Sequence, residues 1–182
     1  APFLLYTGVW RYHKNLPALI KALKILHTQH HITPQLVITG NPDPHYPEVL
    51  HEIQAQDLED HVILPGLVSE KELIYLYNAA LFYVFPSLYE GFGLPVLESM
   101  SCGTPVLCSD TASLPEIAGQ DPKNPTAIFF NPEDPKDIAS KIADLYKSPT
   151  HQADLVANGL QHAKKFSWEK CAKETYKIIT SS

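Results

Sequence analysis

Apolar residues along the chain fall into two kinds of run. Short continuous runs of three to five residues, closed by turn residues, predict strands over 3–7, 35–39, 62–64, 81–85, 105–108 and 127–130. Between them lie stretches whose apolar positions recur every three or four residues, the spacing of one helix face. Asn15 is a plausible cap for the first, which carries Leu16, Leu19, Ile20, Leu23 and Leu26 inward. Residues 47–56 form the second, with Val49, Leu50 and Ile53 inward. Ser69-x-x-Glu72 is a capping box opening a third through Leu73, Leu76 and Tyr77. Pro95 stands where a first helical residue belongs, and Val96, Leu97 and Met100 continue that helix to a stop at Gly103. Further helices are predicted over 113–118, 134–147 and 153–165, and Ser167 caps a last one through Trp168, Cys171, Tyr176 and Ile179.

Strands and helices alternate throughout, and the strand runs are apolar on both faces. That pattern specifies an α/β fold, a Rossmann-like parallel sheet with helices on both faces. Such sheets bind ligands beyond the carboxyl ends of their strands. Gly8, Gly40, Gly66 and the pair Gly91 and Gly93 all follow strands, so their loops share one rim.

The stretch from Tyr83 to Glu98 organises that rim. A buried strand ends at Pro86, a loop with two glycines follows, and a helix begins. Unpaired N–H groups and aligned peptide dipoles make a helix start a natural anion site. Glu90 and Glu98 flank it, eight residues apart. The glycines alone fit an ordinary strand-to-helix turn equally well. On the same rim, Arg11 and Lys14 could clamp a diphosphate, the arginine by its fork and the lysine as a point charge. Single basic residues are more often solvated, but their pairing with the glycine loop favours the clamp. Glu98, about one turn into its helix, could accept bonds from two sugar hydroxyls as an acidic residue does in dinucleotide folds. It is otherwise an exposed helix glutamate.

Composition narrows the partners. The net charge of −6 argues against wholesale binding of nucleic acid or an anionic membrane, and only one of the 14 basic residues is an arginine. Three cysteines, Cys102, Cys108 and Cys171, make an odd count without framework spacing, as expected of reduced thiols in the cytoplasm. Cys102 and Cys108 read as small buried hydrophobes. No apolar run approaches the ~20 residues of a membrane span, and no signal peptide opens the chain. The start at Ala1-Pro2 suggests a fragment or excised domain spanning 1–182. No Asp-x-Asp pair occurs, and the nine histidines lack zinc spacing, so no metal is expected. His27, His30 and His31 read as a polar helix end.

Glu90-Gly-Phe-Gly-Leu-Pro-Val-Leu-Glu98, followed by Ser-Met-Ser-Cys-Gly103-Thr-Pro-Val, resembles the Glu-x7-Glu signature of the retaining GT-B glycosyltransferases, the large family 4 group or glycosyl transferases group 1. The likeness covers nearly the whole chain. Tyr-Thr-Gly8 with His13-Lys14-Asn15-Leu looks like the family's first loop, and Leu36-Val-Ile-Thr-Gly40 like its second strand and turn. Val62 to Gly66, Val68 and Glu72-Leu73 are similar to its base-binding edge. Ser113-Leu-Pro-Glu116-Ile-Ala-Gly119 and Phe166-Ser-Trp168-Glu also fit. The glutamate motif is the specific part. One departure is Val9, where many members place an arginine directly after the first glycine; Arg11 is the candidate replacement. His13 stands where others often have arginine, and is otherwise a loop histidine.

The resemblance implies one half of a GT-B fold, the half that binds a nucleotide-diphosphate sugar as co-substrate, with no other cofactor. It implies that Lys14 contacts the diphosphate, with Arg11 the candidate substitute for the usual arginine, that Val68 (backbone) and Leu73 flank the base, and that Glu98 holds the ribose. Glu90 and the N–H groups of Phe92, Gly93 and Leu94, with the turns at Gly8, Gly40 and Gly91, would line the transferred sugar and phosphate. The implied activity is transfer of a hexose, with a leaning to mannose, onto a glycan or lipid-linked acceptor. The acceptor, and any membrane contact, would belong to an absent N-terminal domain, leaving the isolated chain inactive. A GT-B epimerase or phosphorylase half, or a nucleotide-binding module without catalysis, are the alternatives.

Overall fold

The computed structural model describes residues 1–181. Six strands, β1 (Phe3–Tyr6), β2 (Gln35–Thr39), β3 (Val62–Gly66), β4 (Phe82–Phe85), β5 (Val106–Ser109) and β6 (Ile128–Phe130), form one sheet. Its order is β3-β2-β1-β4-β5-β6, with every pairing parallel. The chain therefore starts at the centre and winds to one edge. It then crosses back to lay β4 beside β1 and winds to the other. Leu5 shows the reversal directly, paired with Val37 on one side and Tyr83 on the other. Diverging connections leave a crevice at the carboxyl ends of β1 and β4, where doubly wound sheets hold their ligands.

Eight α-helices occur among the described residues: α1 (Leu16–Ile25), α2 (Glu48–Ala55), α3 (Glu70–Ala79), α4 (Leu94–Ser101), α5 (Leu114–Ala118), α6 (Pro135–Tyr146), α7 (Pro149–Ala163) and α8 (Trp168–Thr180), the last of which buries no residue and leaves Trp168, Tyr176 and Ile179 exposed. α1 packs against α2 and α6, while α4 packs against α3, α5 and α7. The core joins both groups through the sheet: Leu4, Leu5, Tyr6, Phe82, Tyr83, Val84 and Phe85 are fully buried. No helix among the described residues is long and apolar enough to cross a membrane.

The predicted elements are present, with local differences. The Ser69 box caps α3 in both directions, and Ser167 caps α8. Asn15 does not cap α1 with its side chain. It sits in the left-handed region at φ 54, and its Nδ2 donates instead to the Pro132 carbonyl at 2.7 Å, tying the first loop to the one after β6. α1 also continues into one π turn (Leu26–His30), and α7 starts four residues earlier than its apolar spacing suggests, with Pro149 in its first turn. Ile63 and Leu64 are exposed because β3 is an edge strand, and Leu50 is exposed on α2. His27 is no mere polar helix end: it is half-buried, within hydrogen-bond distance of the Pro34 carbonyl at 3.1 Å and packed edge-on against His61. Of the cysteines, Cys108 is buried, Cys102 half-buried and Cys171 exposed, all as free thiols.

Candidate functional site

Two loops meet at the crevice. After β1 the chain turns at Gly8, buries Trp10 with its indole N–H donating to the Thr39 carbonyl at 3.1 Å, and makes a short 3-10 turn (Tyr12–Lys14). After β4 come Pro86 to Gly93 and the start of α4. The Leu88 N–H donates to the His13 carbonyl at 2.7 Å, stitching one loop to the other. Across that seam Lys14 Nζ lies 2.6 Å from Glu90 Oε1, each side chain only 13% exposed. The same ammonium stands 5.1 Å above the Phe85 ring. A cation and a carboxylate 76 positions apart thus meet at the point where the sheet reverses direction.

The glycine loop is held from beneath. Ser113 Oγ contacts the carbonyls of Glu90 and Phe92 at 2.9 and 3.0 Å, and Thr111 donates to that of Ser87 at 3.3 Å. Gly93 has φ 105, and a Cβ there would lie 2.7 Å from Leu114 Cδ2, so backbone and packing both demand glycine. Gly40 is demanded by close approach, since its Cβ would collide with the Gly8 carbonyl oxygen; the two turns are thereby brought together. Gly91 differs. It is exposed, and no atom lies within 4 Å of where its Cβ would be. No contact among the described residues requires glycine at that position. No side chain caps α4; Pro95 has no N–H and the Val96 N–H donates to the Gly93 carbonyl at 3.0 Å, so the N–H groups left at the positive end of the helix dipole are those of Phe92, Gly93 and Leu94. Phe92 packs edge-on against Phe166, and Phe92 and Leu94 are partly exposed at the rim.

Glu98 lies on α4 about one turn inside and is exposed. Its Oε2 accepts from the Tyr77 hydroxyl at 3.0 Å, which joins α4 to α3. Leu73, one turn before Tyr77 on α3, lies above it on the same helical row, half-buried, with Val68 just ahead of the cap. Leu73 and Glu98 are thus brought to one side of the crevice and Lys14 with Glu90 to its centre. Arg11 is not drawn in. It is exposed and makes no ion pair among the described residues; only its carbonyl is used, accepting from the Lys14 N–H at 2.9 Å. His13 likewise contributes its carbonyl to the seam.

Sequence reasoning missed the polar chain behind Glu98. Thr7 Oγ1 lies 3.0 Å from the Tyr77 hydroxyl and 3.1 Å from that of Tyr83. Burial first, then the neighbouring carboxylate and tyrosines, hold the Tyr77 and Tyr83 hydroxyls far above their usual range, so both remain protonated donors. The available signal was three hydroxyl-bearing residues on faces the pattern buries, each needing a partner. No group of three His, Cys, Asp or Glu among the described residues could hold a metal ion.

Comparison with known proteins agrees with this arrangement. Residues 1–162 match the family described as Glycosyl transferases group 1. The chain is 34% identical over 180 residues to the O-antigen chain mannosyltransferase B of Escherichia coli, covering 97% of this chain and 46% of that protein. It is 31% identical over 166 residues to the MMP alpha-(1->4)-mannosyltransferase of Mycolicibacterium hassiacum, covering 91% and 39%. Among solved structures, a sucrose-phosphate synthase from Thermosynechococcus elongatus superposes with a TM-score of 0.83 at 28% identity, over 100% of this chain and 46% of that one. Anabaena HepE, solved with UDP and glucose, shares the fold with a TM-score of 0.86 at 19% identity, over 99% and 48%. The chain therefore spans less than half the length of these relatives. With that family match over residues 1–162 and 34% identity to a curated member along 97% of its length, the chain belongs to the group 1 glycosyltransferases.

Proposed function

We propose that this chain is the nucleotide-sugar donor-binding domain of a retaining glycosyltransferase that moves a hexose, mannose by its relatives' activity, onto a glycan or lipid-linked acceptor. The observation that carries the reading is the Lys14–Glu90 pair, half-sheltered at the reversal point of the sheet and beside an uncapped helix start. A diphosphate placed there meets a fixed cation and the N–H groups of Phe92, Gly93 and Leu94, while Glu90 faces the sugar it carries. Val68 and Leu73 flank the base and Glu98 the ribose. Arg11, free of any ion pair among the described residues, is available to swing onto the diphosphate from the rim.

The chemistry follows from where charge develops. Breaking the anomeric bond gives an oxocarbenium-like sugar and a nucleoside diphosphate gaining negative charge. Lys14 and the N–H groups of Phe92, Gly93 and Leu94 stabilise that leaving group, and each such donor is worth on the order of 2–4 kcal/mol of barrier. Glu90 binds the sugar and stabilises its developing positive charge; the leaving phosphate helps deprotonate the acceptor, which an N-terminal domain would supply. A cytoplasmic donor pool fits the unpaired thiols.

Calorimetric titration with GDP-mannose and UDP-glucose, using Lys14→Ala and Glu98→Ala as controls, tests the reading. Binding of at least one donor, weakened by both substitutions, is expected. Absence of binding, or binding indifferent to both changes, would refute it.

A further inference from the structure

Four hydroxyl and carboxylate groups from four separate elements form a single line under the crevice: Tyr83 on β4, Thr7 just past β1, Tyr77 on α3 and Glu98 on α4. Tyr83 and Thr7 are buried, Tyr77 is 2% exposed, and only Glu98 reaches solvent. The direction of every bond in that line is fixed by counting protons. A carboxylate only accepts, so the single Tyr77 proton is committed to Glu98. Thr7 must then donate its own single proton to Tyr77. With that proton used, Tyr83 must donate to Thr7. All three protons point toward the carboxylate, and donors aligned in series in a low-dielectric setting strengthen one another. The Tyr77 backbone is anchored too, its carbonyl accepting from Thr104 Oγ1 at 2.6 Å.

From this geometry we infer that Tyr77 is a positioning residue, holding Glu98 by one oxygen through a one-way hydroxyl chain so that the other oxygen selects a ribose over a deoxyribose. Glu98 belongs to an exposed helix face and would otherwise sample several rotamers. Tying Oε2 to a group rooted in two central strands leaves Oε1, which has no hydrogen-bond partner among the described residues, to accept from adjacent hydroxyls of a ribose. The tie extends selectivity to residues that never touch the ligand. It rests on the donor-site reading above, which assigns Glu98 to the ribose.

The test is calorimetric titration of UDP and GDP, each with its 2′-deoxy and 3′-deoxy counterparts, against the wild-type chain, Glu98→Ala, Tyr77→Phe and Tyr83→Phe. Both phenylalanine changes keep the ring and remove one buried hydroxyl. Tyr77→Phe should lower affinity for the ribonucleotide by roughly tenfold, the worth of one hydrogen bond to a charged group. It should leave the deoxy forms nearly unchanged, so that the ribose preference collapses as it does in Glu98→Ala. Tyr83→Phe should move the preference in the same direction by roughly two- to threefold, and it reports on the chain even if Tyr77→Phe folds poorly. Combining Tyr77→Phe with Glu98→Ala should cost no further preference. If Glu98→Ala abolishes the preference while both phenylalanine variants keep it, or if Tyr77→Phe weakens ribo and deoxy forms equally, the positioning role is overturned and the donor site stands. If the wild-type chain binds neither nucleotide, or Glu98→Ala leaves the preference intact, the donor-site reading falls and this inference with it.

Discussion

Replacing Glu90 by glutamine should tighten the binding of a bare nucleoside diphosphate while erasing the advantage of the sugar-bearing form. The ammonium that would meet the diphosphate pairs with Glu90 at 2.6 Å, with each side chain 13% exposed. Two unit charges at that separation attract by roughly 6 kcal/mol at an effective dielectric of 20. Desolvation offsets most of this. Exposed pairs are worth about 0.2–1 kcal/mol, and breaking a buried one costs about 3–5. A pair this sheltered lies between, near 2 kcal/mol. A diphosphate arriving at Lys14 must weaken that contact and accept a neighbouring carboxylate of its own sign. Glutamine keeps the shape and one acceptor oxygen but removes the charge.

The gain for bare GDP or UDP should then be about 1–2 kcal/mol, a five- to thirtyfold tighter dissociation constant. A nucleotide sugar gains the same electrostatic relief but loses hydrogen bonds from its hydroxyls to a charged acceptor, about 1.5–3 kcal/mol. The ratio of sugar-bearing to bare affinity should therefore fall tenfold or more. Competitive titration of each nucleotide with and without its sugar measures both numbers. Repeating it at high salt should shrink the gain only modestly, because a sheltered pair is poorly screened. If Glu90→Gln weakens bare nucleotide binding, or leaves the ratio untouched, Lys14 is not handed from carboxylate to phosphate and the site is misassigned.

Three other outcomes are expected. Gly91→Ala should leave the urea midpoint within about 1 kcal/mol of wild type yet impair nucleotide-sugar binding, since open space surrounds that position; unimpaired binding would remove Gly91 from the site. Gly93→Ala should destabilise the fold by about 1–3 kcal/mol, combining a disfavoured backbone region with a collision, and a wild-type midpoint would contradict this. His27 has its pKa lowered, by burial above all and then by His61 and Lys24 against a favourable bond to Pro34. Its folded value therefore lies below the unfolded one near 6.5. Its contribution to stability is full above that pH and lost as pH falls through the folded value. Urea midpoints at about pH 7.5 and about pH 5 should diverge less in His27→Gln than in wild type, and an equal divergence would exclude His27 as the cause.

Much of this molecule was legible in the chain because a doubly wound sheet writes its centre plainly. β1, β2, β4 and β5 are covered on both faces and read as unbroken apolar runs. The run at Ile63 and Leu64 looks the same but lies at an edge, and order within a sheet leaves no local trace. Glu90 and Glu98 were visible because their spacing straddles a loop and a helix start, and Lys14 because it shares their rim. Tyr77 was not. At its position helical spacing says only that the side chain points inward, and its partners lie 70 and 21 residues away. Asn15 hid for the same reason, since the carbonyl it serves is 117 residues on. Arg11 is the converse: its charge marked it as a clamp, yet the turn that places Lys14 leaves it exposed at the rim, without an ion pair among the described residues.

The site rests on two supports that share no hydrogen bond. Glu90 is steadied by Lys14 and by the loop that Ser113 holds, and Glu98 by the line of hydroxyls through Tyr77, Thr7 and Tyr83. What lies between them is aromatic: Phe85 stacks on Tyr6 at 6.1 Å and on Tyr83 at 5.8 Å, and the same Phe85 ring underlies Lys14. Close-packed rings at the centre of a sheet resist deformation, and neither Glu90→Gln nor Tyr77→Phe alters any of them. The two substitutions should therefore add in the free energy of nucleotide binding to within about 0.5 kcal/mol, as independent sites do. On the proposed reading, one support sets the response to charge at the diphosphate and the other the response to the ribose hydroxyls. A double-mutant cycle with GDP and UDP decides it. A coupling well beyond that margin would mean the ring floor moves when either end is disturbed, and that the phosphate and ribose ends of the site are gripped by one mechanism instead of two.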